Sequence, residues 1–217
     1  MRCVLCDQKK GKRSCPAKSA LICPQCCGEK RVLEVDCPES CEYLKSGRSR
    51  EIADYVSHLH SMDLLAQRRN ERVLGSYREV IAHLEYWLSH ERLLSKELCD
   101  KDVAQALELL LENYRTEEKG ILYEKTSDDL KIDYLRRELR KIVESYRNPE
   151  REGDDGIIDP QQERLPLKAA IDCLEFIRDM LASYMKERTS PTRYIDILAR
   201  IATGESRDTT KSSIIIP

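Results

Sequence analysis

Eight of the ten cysteines in this 217-residue chain fall within its first 41 residues, and no other feature of the sequence restricts the fold so tightly. They run Cys3-x2-Cys6-x8-Cys15-x7-Cys23-x2-Cys26-Cys27-x9-Cys37-x3-Cys41. A segment this short has too little apolar surface to hold itself together, so cross-links must supply its folding free energy. A disulfide framework is one source. The spacing favours another: a Cys-x2-Cys turn delivers two sulfurs from one tight loop, and two such turns complete the tetrahedron of thiolates that Zn2+ prefers.

Cys3/Cys6 and Cys23/Cys26 are turns of this kind. Cys37-Pro38-Glu39-Ser40-Cys41 is a looser pair whose second cysteine falls where a helix starts. Eight ligands predict two zinc ions. Adjacent residues in extended chain point opposite ways, so Cys26 and Cys27 are expected to serve different ions. The reading is one site from Cys3, Cys6, Cys23 and Cys26 and a second from Cys15, Cys27, Cys37 and Cys41, with Cys26 and Cys27 interchangeable. Gly28, directly after the second turn, is expected to relieve a positive φ. Sites closed by four sulfurs leave no open coordination position, which predicts structural rather than catalytic zinc.

This order of knuckles resembles the cross-braced two-zinc fingers of the HIT, MYND and B-box type, although those usually include a histidine ligand and none occurs here before His58. The resemblance implies a head that binds other proteins. The runs Cys23-Pro24-Gln25-Cys26-Cys27-Gly28-Glu29-Lys30-Arg31 and Cys37-Pro38-Glu39-Ser40-Cys41-Glu42-Tyr43-Leu44 are also similar to the N-termini of some uncharacterised bacterial proteins. Both resemblances stop near residue 45.

Charge divides the chain at about the same place. Residues 1–50 carry 11 Lys or Arg against 6 Asp or Glu, a balance of +5, whereas the remainder carries −7. Lys9, Lys10, Lys12, Arg13 and Lys18 form a basic run suited to nucleic-acid phosphates. Zinc alters that impression. Eight thiolates around two ions add a net charge of about −4, leaving the head close to neutral. The run also lacks interleaved aromatics.

Beyond Ser49 apolar residues recur at helical intervals. The stripes are Ile52, Val56, Leu59 and Met62; Tyr77, Ile81, Leu84, Leu88 and Leu94; Val103, Leu107, Leu110, Tyr114 and Ile121 behind an Asp100 cap; and Ile132, Leu135, Leu139, Ile142 and Tyr146 behind a Ser127 cap. Leu167, Ala170, Leu174, Ile177, Leu181 and Tyr184 make another, and Ser190-Pro191 opens a last helix with Tyr194, Ile197, Leu198 and Ile201 that ends at Gly204. The expected fold is mainly α: a zinc module over 1–45, then an antiparallel bundle of about five to six helices over 49–203 with an exposed loop at 148–160, and a tail over 204–217. In that tail Ile214, Ile215 and Ile216 suit strand addition to a partner.

No catalytic pattern accompanies these helices. A phosphate-binding glycine loop, a nucleophile elbow and a His-Glu-x-x-His helix are all missing. His58 and His60 are read as solvated, Glu79 with His83 as a surface pair, and no Glu-x-x-His of a di-iron bundle occurs. No run of about eighteen apolar residues crosses a membrane, and the start of the chain lacks the apolar core of a secretory signal, which predicts a reducing cytoplasm where clustered thiols hold metal. The sequence therefore predicts a non-enzymatic zinc-finger adaptor or regulator that binds protein partners, with self-association open to it. Nucleic-acid binding through the basic run and zinc-thiolate redox sensing are the alternatives.

Overall fold

The computed structural model describes residues 1–149, 164–187 and 190–202. Two strands, β1 (Arg13–Cys15) and β2 (Ala20–Ile22), pair as an antiparallel hairpin, with Cys15 opposite Ala20. A short helix, α1 (Pro24–Lys30), follows. Seven further helices are α2 (Glu42–His60), α3 (Leu64–Ser76), α4 (Arg78–Leu94), α5 (Asp100–Glu118), α6 (Leu130–Arg147), α7 (Leu167–Lys186) and α8 (Arg193–Ala202). The chain is thus mainly α behind a small cysteine-rich head. None of the described helices is long and apolar enough to cross a membrane.

Buried side chains fall into two separate clusters. The head's cluster is Cys3, Cys15, Ile22, Cys23, Cys26, Cys27 and Val35, so most of its core is sulfur. The body's cluster draws on α2 through α8 and includes Leu84, Leu107, Leu110, Leu139, Phe176 and Ile197, all fully buried. Burial of this aliphatic and aromatic surface drives the body's folding. The head has no comparable reserve.

Neighbouring helices run mostly antiparallel: Arg115 of α5 meets Glu175 of α7 while Glu108 meets Arg178, and Arg69 and Arg72 of α3 meet Asp179 and Asp172 of α7. α5 and α6 run in the same direction, with Lys131 on Asp102 at one end and Arg147 on Glu117 at the other. The segment between them returns in extended form. Asn113 holds it by donating to the Lys125 carbonyl at 3.1 Å and accepting from its amide at 2.7 Å, and the buried Arg136 donates to Glu124 at 2.5 Å.

Several details depart from the periodicity. The buried face of α2 is Leu44, Gly47, Glu51, Tyr55 and His58, whereas Ile52, Val56 and Leu59 are half-buried. α3 carries no strong apolar stripe, and its Leu64 and Leu65 are exposed. Helix α5 stops at Glu118 with Gly120 at φ 79°, so Ile121 is exposed, as is Leu94 at the end of α4. Asp129, not Ser127, caps α6 by accepting from the Lys131 and Ile132 amides. Helix α8 begins at Arg193, two residues after Pro191. Its cap is Asp100, whose two carboxylate oxygens accept from the Tyr194 and Ile195 amides at 3.0 and 3.2 Å. Most of the 148–160 loop, Gly204 and the Ile214–Ile216 tail lie outside the described residues.

Candidate metal centre

The head's fold follows from two tight turns and one hairpin. In the first turn the Asp7 amide donates to the Cys3 carbonyl at 2.8 Å, with Asp7 itself at φ 50°, and the Cys3 amide donates to the Lys9 carbonyl. In the second, Cys23 is the N-cap of α1 and Pro24 its first residue, where a missing N–H costs nothing. The Cys26 amide donates to the Cys23 sulfur at 3.3 Å. The positive φ angles fall on Asp7, Ser19 and Val32, while Gly28 is helical inside α1.

These turns bring Cys3, Cys6, Cys23 and Cys26 together, with all four Sγ atoms within 4.8 Å of one another. Among the described residues no other group of cysteine, histidine or carboxylate ligands converges as closely. Tetrahedral Zn2+ with bonds of about 2.3 Å fits among sulfurs at this separation. Three of the four are buried and Cys6 is half-buried. All ten cysteines are free thiols.

Electrostatics favour a cation here. Burial works to raise the Cys3 thiol, but backbone bonds from Cys23, Leu5 and Cys6 outweigh it and hold it at about 6. Cys6 is lowered by backbone bonds from Lys9 and Gln8. Cys26 goes the other way, pushed up to about 12 by burial and by the sulfurs of Cys23, Cys6 and Cys3. Two thiols of the quartet, Cys3 and Cys6, thus ionise more readily, and Cys26 resists, first through burial and then through the neighbouring sulfurs. A divalent ion among them removes that resistance. The set is a zinc-finger-like segment able to hold one Zn2+.

Cys15, Cys27, Cys37 and Cys41 line a second space, closed by Ile22, Val35 and Leu44 and bordered by Arg31. Their mutual influence is visible at Cys37, whose thiol is raised by burial first and then by the charges of Cys41, Cys15 and Cys27. The four surround one cavity at wider spacing than the first quartet. Cys26 and Cys27 face different sets, but for a helical reason: both lie on α1, where consecutive side chains diverge by about 100°. The extended chain assumed from sequence is absent there.

Two members of the basic run have partners within the head. Lys9 donates to Gln25 Oε1, and the Arg13 guanidinium lies 4.8 Å from the centre of the Tyr43 ring. Lys10, Lys12 and Lys18 are exposed.

His60 is exposed as expected, but His58 and His83 differ from expectation. His58 is buried, stacked on Tyr184 at 3.7 Å, with Nδ1 2.9 Å from Ser183 Oγ and Nε2 3.3 Å from Glu187. His83 meets the Tyr146 hydroxyl at 3.3 Å instead of pairing with Glu79. Sequence reading missed a second polar centre, in which Glu85 Oε1 accepts from Tyr55 at 2.6 Å and Tyr194 at 2.9 Å. Its members lie on three helices far apart in sequence, so no local pattern marks them. No protein family, curated protein or solved structure matches the chain.

Proposed function

We propose that this protein is a non-enzymatic adaptor whose head is cross-braced by two Zn2+ ions, one in each cysteine quartet, and presents a rigid surface to a protein partner. The observation that carries the reading is the first quartet, four converging sulfurs with the tetrahedral ligand count that zinc takes in closed sites. Such a site supplies folding free energy and offers no coordination position to a substrate. Interleaving of the ligand pairs, with Cys15 between the two halves of the first set and Cys27 directly after it, is the cross-brace that the order of knuckles implies. The body adds exposed apolar surface at Ile121, Leu122 and Tyr123, three consecutive side chains more than half exposed. Nucleic-acid binding is less well supported, because Lys9 and Arg13 already have partners within the head.

The test begins with native mass spectrometry of the zinc-loaded chain, where two ions are expected. Immobilised protein is then exposed to host extract at modest salt, with and without nuclease or chelator. The reading expects a protein that is retained despite nuclease and lost with chelator. Retained nucleic acid whose binding falls steeply with salt would replace it with phosphate binding by Lys10, Lys12 and Lys18. Zinc release by mild peroxide with helicity intact would instead favour redox sensing.

A further inference from the structure

Helix α2 joins head to body; Tyr55 and the His58 ring stacked on Tyr184 anchor its second half, whereas its contact with α8 is polar. Against α8 it places Glu51 Oε1 3.2 Å from Arg200 Nε and Asp54 Oδ2 3.0 Å from Arg193 Nη2, and Arg48 Nε donates to the Arg200 carbonyl at 3.2 Å. Two atoms in this seam, Glu51 Oε2 and Arg193 Nε, are buried with no hydrogen-bond partner. Buried charges offset their desolvation only when every member is satisfied, so this seam adds little by itself to the hold on the first half of α2.

What positions the start of α2 comes from the second quartet. Cys41 is its N-cap residue, and the Cys41 side chain makes no capping bond. The Cys37–Cys41 loop also carries Glu39, which takes both terminal nitrogens of Arg48 at 2.6 and 3.0 Å. Arg48 therefore spans from that loop to the last turn of α8. From the other side Arg31, which borders the same cavity, donates to the Gly28 carbonyl of α1 and the Tyr43 carbonyl of α2. Its guanidinium occupies the space that Gly47 leaves open: a methyl group there would stand 1.0 Å from Nη1. The first quartet lines none of this cavity.

We propose that the ion held by Cys15, Cys27, Cys37 and Cys41 governs the joint between head and body. Binding draws these more widely spaced sulfurs inward, fixes the loop bearing Glu39 and the start of α2, and so seats Arg48 and Arg31. Losing that ion releases α2 from α8 while the first ion keeps the far part of the head folded. This inference rests on the second ion proposed above, and deepens it by giving the two ions different work, the first structural and the second regulatory.

The test combines native mass spectrometry with amide hydrogen exchange on the full chain. Cys37→Ser is expected to drop the count from two ions to one and to speed exchange across 42–60 and 193–202 by roughly tenfold, the effect of losing one charge-assisted hydrogen bond. Gly47→Ala displaces the Arg31 guanidinium and leaves all eight thiols in place. It is expected to retain both ions yet show the same faster exchange, although alanine is the better helix former. Unchanged exchange in Gly47→Ala, or in Cys37→Ser carrying one ion, overturns the joint and leaves the two-ion head standing. A wild-type chain holding a single ion sinks both.

Discussion

Val32 occupies the left-handed region at φ 66°, a conformation that a β-branched side chain adopts only under strain. Its amide donates to the Val35 carbonyl at 3.0 Å, closing the turn between α1 and the Cys37 loop, and a backbone bond from Val32 works against burial to lower the Cys37 thiol. Strain of this type costs about 1–3 kcal/mol and persists where surrounding groups fix the backbone. Asparagine tolerates this region without glycine's loss of unfolded-state restriction. Val32→Asn is therefore expected to stabilise the zinc-loaded head by about 1 kcal/mol, read as a higher melting temperature and slower zinc loss to a competing chelator. An unchanged or lower melting temperature would show that Val32 packing outweighs its strain. Sequence spacing located the eight thiols but not this residue. It assigned the positive φ to Gly28 from its place directly after the second turn, whereas Val32, in a turn closed by its pairing with Val35, carries one.

Elements were legible where their packing is apolar. The stripes of α4, α6 and α7 bury Leu84, Leu88, Leu139, Leu174 and Ile177 as their periods require, because only burial of apolar surface imposes a period on the sequence. Helix α3 escaped because ion pairs hold it: Arg69 to Glu175 and Asp179, and Arg72 to Asp172. The inner face of α2 escaped for a related reason, its buried Glu51, Tyr55 and His58 being matched by partners on α4, α7 and α8 that no local window contains. Asp100 shows the same limit at a helix end. It reads as the cap of its own helix, but that helix starts after Cys99, whose amide donates to Asp102 at 3.1 Å, and Asp100 instead caps α8 from 94 residues away. Asp100→Ala removes two bonds to buried amides and is expected to cost about 2 kcal/mol in denaturant unfolding. Asp100→Asn keeps one acceptor oxygen and should lose less. Equal losses from the two substitutions would mean that the carboxylate, rather than its acceptor geometry, holds α8.

At the scale of the whole molecule, α2, α4 and α8 meet at one buried carboxylate. Glu85 accepts from Tyr55 of α2 and Tyr194 of α8, and burial raises it from 4.5 to about 7 although both hydroxyl bonds pull it down. The folded protein thus binds a proton at Glu85 that the unfolded chain releases near 4.5. This contribution to stability is complete below 4.5 and is lost as pH rises through 7. With about 1.4 kcal/mol for each pH unit between those two values, it amounts to roughly 3 kcal/mol in all. Asp100, raised to about 6 chiefly by burial, acts in the same direction at lower pH. Glu85→Gln keeps an acceptor for both tyrosines and removes the titration. Its unfolding free energy should change little between about pH 6 and 8 while the wild type loses stability over that interval, as measured by urea denaturation at each pH. Parallel curves for the two proteins would place the pH dependence elsewhere. Because Tyr55 belongs to the helix that carries the head, the same loss should loosen α2 first, so hydrogen exchange over 42–60 is expected to quicken with pH more than exchange in α5 or α7, after correction for the intrinsic rate.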